Sequence, residues 1–304
     1  MSQTTRHAVN HQTQDNRFVD NCKRLGLAMI AKDYRTLVEK AHAENIGFYD
    51  FLAHVIALEA NDREQRSIAY RIRKSKLPQP LKLLADFDFT FQPKLSKKLI
   101  MDLASLAFLQ ARESILFIGD CGTGKSHLAQ SLALIACQKG CRVFYTTCAA
   151  LINDLNLGVY EKTLAKRLRQ YTKPELLVID EMGHDRLELE VTKEAHLLFK
   201  VIDERYNKNA SLIFTTNVEE QDWADYLGDP ISTRAILDRI FHHSIKVEIR
   251  GPSYREYESR KLQEKYNPAS ASDALPSQNP AGVAEQHPDA RLCVDSLLTV
   301  GTAR

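Results

Sequence analysis

The sequence has no apolar run long enough to cross a bilayer, no C-x-x-C cysteine pair, and almost no net charge. No window approaches eighteen uninterrupted apolar residues, which excludes a membrane-spanning helix. Met1–Asn16 is polar and carries no apolar stretch of the kind a cleavable export signal needs, so a cytoplasmic location is expected. The six cysteines (Cys22, Cys121, Cys137, Cys141, Cys148 and Cys293) contain no C-x-x-C pair, and a chain of this length does not depend on disulfide staples. They read as reduced thiols. Lys and Arg total 41 against 39 Asp and Glu, a formal charge of +2, so any basic surface has to come from local clustering. His127, His184, His196, His242 and His243 form no H-x-x-x-H or H-E-x-x-H arrangement for zinc, and no serine sits in a G-x-S-x-G elbow.

What is present is enough apolar residue, 44% of 304, to build a sizeable core. Residues 1–17 are rich in Gln, Asn, Thr and His without periodicity and are expected to be a loose arm. Phe18, Cys22, Leu25 and Met29, then Phe48, Leu52, Val55 and Ile56, fall at helical steps, with a break at Asn45–Gly47. The second helix runs into a basic segment, Arg63, Arg66, Arg71, Arg73, Lys74, Lys76 and Lys82, before Pro78 and Pro80 stop it. Residues 18–77 therefore read as a helical docking module, and Leu77–Leu84 as a linker. After the alternating Phe87, Phe89 and Phe91, short apolar strands (Ser114–Ile118, Arg142–Thr146, Leu176–Ile179, Ser211–Thr216, Ile245–Ile249) alternate with helices such as Ser126–Lys139 and Thr192–Arg205. That pattern predicts an α/β fold over residues 78–265, a parallel sheet covered on both faces. Residues 266–304 shift to Ala, Ser, Pro, Asn and Gln and read as a disordered tail.

The strand at Ile115–Ile118 runs into Gly119-Asp120-Cys121-Gly122-Thr123-Gly124-Lys125-Ser126, which matches G-x-x-x-x-G-K-[ST], and a helix beginning with Ser126 and His127 follows. Glycines let successive backbone N–H groups turn toward phosphates, and the helix N-terminus adds partial positive charge there. Lys125 is expected on the β- and γ-phosphates of ATP, and the Ser126 hydroxyl on Mg²⁺. Leu176–Glu181 is a buried strand ending in two carboxylates at the edge where open α/β sheets bind ligands. Asp180 suits Mg²⁺ and Glu181 suits polarisation of the attacking water. Ser211–Thr216 delivers Asn217 to the same edge, where its amide can position that water. Downstream, Arg234 and Arg239 lie on a helical stretch.

With these residues aligned, the chain over about Leu25 to Arg260 resembles the IstB-type ATPases that assist transposases of insertion sequences, relatives of the DnaC helicase loaders within the AAA+ class. The resemblance rests on Leu25-Gly26-Leu27, the run from Glu59 to Pro78, Asp180-Glu181-Met182-Gly183, Gly228-Asp229-Pro230, Leu237-Asp238-Arg239, His242-His243 and Gly251-Pro252-Ser253-Tyr254-Arg255. It implies an AAA+ P-loop fold without a separate C-terminal lid domain. It makes Asn217 similar to a sensor-1 residue and Arg239, with Arg234 as the other candidate, similar to an arginine finger that completes a neighbour's site. It further implies an ATP-dependent oligomer, DNA bound without strong sequence preference, and a cognate transposase as partner. The arm, the tail and the loop His184-Asp185-Arg186, which is apolar in the family, depart from the pattern.

The reading from the sequence is thus a DNA-dependent ATPase acting as a transposition helper. A DnaC-like helicase loader uses the same phosphate site. A small-molecule kinase is disfavoured because Glu181 suits activation of water. A binding-only nucleotide switch is a further alternative.

Overall fold

The computed structural model describes residues 3–182, 191–219, 222–223 and 230–266. The sequence readings of residues 267–304 and of His184-Asp185-Arg186 lie outside these. The chain divides into two units, Met1–Tyr257 and Glu258–Arg304.

The first unit opens with three helices, α1 (Gln3–Leu25), α2 (Ala28–Ala43) and α3 (Phe48–Ser75). The helix begins at Gln3, where the composition had suggested a loose arm; the stretch contains neither Gly nor Pro, and nothing interrupts the backbone before Gly26. Cys22, Ile30 and Val55 form a small core with Leu27, Met29, Tyr34, Leu37 and Phe51. Leu27 at the N-cap of α2 has no side chain to satisfy the first amides of that helix. A residue of α3 does it instead: the buried Glu59 carboxylate accepts from Ala28 N at 3.1 Å and Ile30 N at 3.0 Å, and Arg66 donates to it at 3.1 Å. A carboxylate is well placed at a helix N-terminus, because it meets orphan donors and the positive end of the helix dipole together.

The second half of α3 packs on the sheet domain. Arg71 Nε donates to Cys137 O at 2.8 Å and so caps the last turn of α6 (Lys125–Gln138). Ser75 is buried, and Leu77 belongs to the main core. The expected linker is therefore no free tether. It runs back along α6, with Lys82 O accepting from Ser131 Oγ at 3.1 Å and Leu83 O lying 2.8 Å from His127 Nε2. The alternating Phe87, Phe89 and Phe91 form no strand; Phe87 and Phe89 pack on the core from a short 3₁₀ turn and the loop after it. Helices α4 (Lys97–Ala104) and α5 (Ala107–Ala111) follow.

Five parallel strands, β1 (Ser114–Gly119), β2 (Val143–Thr147), β3 (Leu176–Met182), β4 (Ser211–Thr216) and β5 (Ser244–Ile249), form one sheet in the order β2-β3-β4-β1-β5. Period-two alternation sends Ile115 and Phe117 to a core with α6, and Leu116 and Ile118 to the opposite core. That second core is covered by α7 (Cys148–Tyr160), α8 (Leu164–Thr172), α9 (Val191–Asn207) and α10 (Pro230–His242). Both faces of the sheet are covered, as the near-continuous apolar strands predicted. Helix α11 (Tyr254–Tyr266) ends the described chain. At the end of the sheet away from the phosphate loop, the fully buried Arg205 donates to the carbonyls of Tyr171, Pro174, Glu175 and Ser211. Those four acceptors offset the burial that lowers its basicity.

The topology fixes the site. Strand β4 lies between β1, which feeds the phosphate loop, and β3, which ends in the carboxylates. The ends of all three strands face one edge.

Candidate nucleotide site

At that edge Cys121, Gly122, Lys125, Ser126, Glu181, Thr215, Thr216, Asn217 and Arg255 line one cleft. The loop holds itself open through its own side chains. Thr123 Oγ1 donates to Asp120 O at 2.8 Å, and Lys125 Nζ donates to Gly119 O at 2.6 Å and Asp120 O at 2.8 Å. Burial pushes the Lys125 ammonium below its usual value and Arg255 adds to this, while Cys121, Asp180 and Asp120 oppose it. Gly124 adopts φ +100°, and a Cβ there would meet Phe87 Cε2 at 2.6 Å. The left-handed backbone and the aromatic wall both demand glycine. His127, expected with the loop, instead faces Leu83 O and the Phe87 ring.

Asp180 is 2% exposed. Its Oδ1 accepts from Ser126 Oγ at 2.8 Å and from Thr215 Oγ1, and its Oδ2 accepts from Tyr145 OH. Burial, followed by the charge of Asp180 and the hydrogen bond to it, pushes the Tyr145 phenol far above its ordinary range, so it stays a neutral donor. The next residue behaves differently. The β3–β4 register shifts between Ile179 and Met182, Glu181 has φ +58°, and its N–H donates to Thr215 Oγ1 at 3.0 Å. A bulge of this kind re-aims a side chain, and the Glu181 side chain is exposed on the cleft. Asn217 reaches across from β4, its Nδ2 3.9 Å from Cys121 Sγ.

The sequence expectations divide accordingly. Lys125, Ser126, Asp180, Glu181 and Asn217 come together around one cleft. Arg239 does not join them. Its Nε pairs with Asp203 of α9 at 2.9 Å, and its guanidinium lies over the rings of Phe199 and Tyr206 at 4.9 and 5.9 Å. Arg234 is exposed. Four residues of the site had no assigned role from sequence: Tyr145, Thr215, Thr216 and Arg255. Arg255 arrives through the Gly251–Arg255 motif, which docks on the phosphate loop. Tyr254 N donates to Gly122 O at 2.9 Å, Pro252 O accepts from Gln92 Nε2 at 2.9 Å, and Ser253 Oγ accepts from Glu256 N at 3.3 Å. Gly122, at φ +78°, is glycine because a Cβ would lie 2.1 Å from Ser253 Oγ. The motif itself was the signal; only its contact with Gly122 reveals the purpose.

The sequence profile of the IstB-like ATP binding proteins matches residues 20–262. A protein of Geobacillus stearothermophilus, named for ATP binding in insertion sequence IS5376, is 38% identical over 249 residues, 82% of this chain and 97% of that protein. Its counterpart in insertion sequence IS21 of Pseudomonas aeruginosa is 37% identical over 238 residues, 78% of this chain and 88% of that protein. Among solved structures, a crystal structure of the DnaC helicase loader is 25% identical with a TM-score of 0.44, over 50% of this chain and 86% of that one.

The loop geometry makes a prediction. Gly124→Ala carries both a left-handed strain of about 1–2 kcal/mol and the clash with Phe87, and should weaken ATP binding at least tenfold by calorimetry. Gly140→Ala is the control: it has φ +98° but open space around its Cβ, and it should lose stability while keeping ATP affinity.

Proposed function

The chain belongs to the IstB-like ATP-binding family, and we propose that it is a DNA-dependent ATPase that assembles on DNA and directs a partner transposase. The observation that carries hydrolysis, beyond ATP binding, is the contrast between two adjacent carboxylates, Asp180 buried against Ser126 and Glu181 exposed on the cleft. The insertion-sequence names of the relatives favour transposition over helicase loading.

In this reading the loop N–H groups and Lys125 take the phosphates, and Lys125 exchanges its contacts to Gly119 O and Asp120 O for phosphate oxygens. The Ser126 hydroxyl and the Asp180 carboxylate are hard oxygen donors 2.8 Å apart, a set that fits Mg²⁺. The cation, when bound, neutralises phosphate charge that builds up as the γ-phosphoryl group leaves. Glu181 accepts a proton from the attacking water, Asn217 orients that water, and Arg255 adds positive charge at the same cleft. Arg239 is the finger offered to a neighbouring subunit, and it reaches that role from its pairing with Asp203.

DNA contact falls on fewer residues than the basic run suggested. Arg66 is committed to Glu59 and Asp62, and Arg71 to Cys137 O. Arg73, Lys74 and Lys76 stay exposed, and the first two flank the ring of Tyr70. A second surface, absent from the sequence reading, is α8, which contains no acidic residue and exposes Lys166 and Arg169 beside exposed Lys162, Lys173 and Tyr160. Cations with an exposed aromatic between them suit phosphate contact and base stacking.

Three outcomes follow. Glu181→Gln should keep ATP affinity and lose turnover by about 10²–10⁴, and Lys125→Ala should lose ATP binding; unchanged turnover in Glu181→Gln would remove the hydrolytic assignment. Arg239→Ala should bind ATP normally without turning it over, and mixing it with Lys125→Ala should restore part of the activity. If Arg234→Ala behaves this way and Arg239→Ala does not, the finger is Arg234. Reversing Lys166 and Arg169 to Glu should flatten the dependence of log DNA affinity on log salt by about 2 without touching ATP binding. Equal slopes would place the DNA elsewhere.

A further inference from the structure

We propose that Tyr145 and Thr215 are positioning residues that hold Asp180 and Glu181 in their two roles, a hydroxyl pair on the strands either side of β3 that sets both the Mg²⁺ requirement and the turnover of the site. The proposal rests on the hydrolytic reading above and goes further by naming what keeps the two carboxylates apart in function.

Tyr145 belongs to β2 and Thr215 to β4, the two neighbours of β3. Each hydroxyl has a single proton to give and lone pairs to offer. At Tyr145 the direction of the proton is settled, because Gln130 Nε2 of α6 donates to the phenol oxygen at 3.4 Å and the phenol donates to Asp180 Oδ2. At Thr215 the hydroxyl donates to Asp180 Oδ1 and accepts from Glu181 N. One oxygen therefore ties the metal-facing carboxylate to the backbone of the residue that takes the proton from water. With Ser126 Oγ also on Oδ1, Asp180 is held on both oxygens by three hydroxyls. A buried carboxylate freed from one of them would swing, and would meet a cation less well.

The two hydroxyls have separable consequences. Of the two carboxylates Tyr145 touches only Asp180, so its loss acts on Mg²⁺. Thr215 touches Asp180 and the Glu181 N–H, and that N–H anchors a residue at φ +58°, a costly conformation for glutamate. Its loss acts on Mg²⁺ and on turnover together. Thr215 borders the cleft, but its hydroxyl is committed to Asp180 and the Glu181 N–H. Both act through the carboxylates.

The test uses the full chain, with MgCl₂ titrated against binding of N-methylanthraniloyl-ATP and against DNA-stimulated turnover. Tyr145→Phe should bind the analogue in EDTA as the parent does and need roughly tenfold more Mg²⁺ for half-maximal response, the size usual for removing a group that orients a metal ligand. Thr215→Val should show the same Mg²⁺ shift and, in addition, a turnover roughly tenfold lower at saturating Mg²⁺. Thr215→Ser keeps the hydroxyl and should match the parent in both. A Mg²⁺ midpoint within twofold of the parent in both Tyr145→Phe and Thr215→Val overturns the proposal, whether or not their melting temperatures fall. A parent chain without any Mg²⁺-dependent response removes the hydrolytic reading itself, which separates the two failures.

Discussion

A charged carboxylate in the centre of a protein has to be compensated on every lone pair it presents, and Asp180 imposes that demand on the whole sheet. Its donors come from α6, β2 and β4. Each must end at the right height, which fixes the register of three parallel strands relative to the helix that begins at Lys125. Losing one donor costs about 1–3 kcal/mol, and more for a charged group. The phosphate loop is thus locked to the carboxylate strand through Ser126, by the same hydroxyl that suits a cation. The apolar residues of the strands supply the stability of the sheet, but any parallel alignment would bury them. Asp180 accepts only one.

The helical module solves a comparable problem the same way. Glu59, almost fully buried, gains two amides of α2 and the guanidinium of Arg66. Arg71 turns the other way and closes the last turn of α6. Part of the basic segment is therefore committed within the protein, Arg66 to the carboxylate that caps α2 and Arg71 to the last turn of α6. Counting charges along α3 overestimated its surface potential, because Glu59 and Arg71 of one helix serve as caps for two others.

The local parts of the site were legible in the sequence and the long-range parts were not. Gly119–Ser126 and Asp180-Glu181 are contiguous, and their chemistry depends on spacing that the sequence displays. The strands were visible within one residue at most ends because β-branched and aromatic runs between turns have few other uses; β3 was the exception, its pairing carried past Ile179 to Met182 by the bulge. Tyr145 was hidden because its partner is 35 residues away, and a tyrosine in a buried strand ordinarily reads as core. Thr215 looked like the end of a strand. Phe87, Phe89 and Phe91 imitated strand alternation while lying in a loop, the first two packed on the core and Phe91 on Tyr254 and Tyr257, a tertiary override of a local pattern. The break at Gly26 escaped notice because the helical steps from Phe18 to Met29 carry on across it, although Gly26 sits at φ +71°.

The bulge at Asp180 and Glu181 shows why two neighbouring acids can do different work. In a regular strand consecutive side chains point to opposite faces of the sheet, which here would drive the second carboxylate into the core of Leu177, Ile179 and Met182. Asp180 stays dry and fully hydrogen-bonded, which suits a group that must remain an anion beside a cation. Glu181 is turned out at φ +58° into the cleft, where water reaches it. The strain of that turn is held by one hydrogen bond to Thr215, the same residue that steadies Asp180. The strand between the phosphate loop and the carboxylates therefore does more than space them: it delivers Thr215 to the acids and, two residues later, Asn217 to the loop. A change in the end of β4 would reach Asp180, Glu181 and the phosphate loop at once.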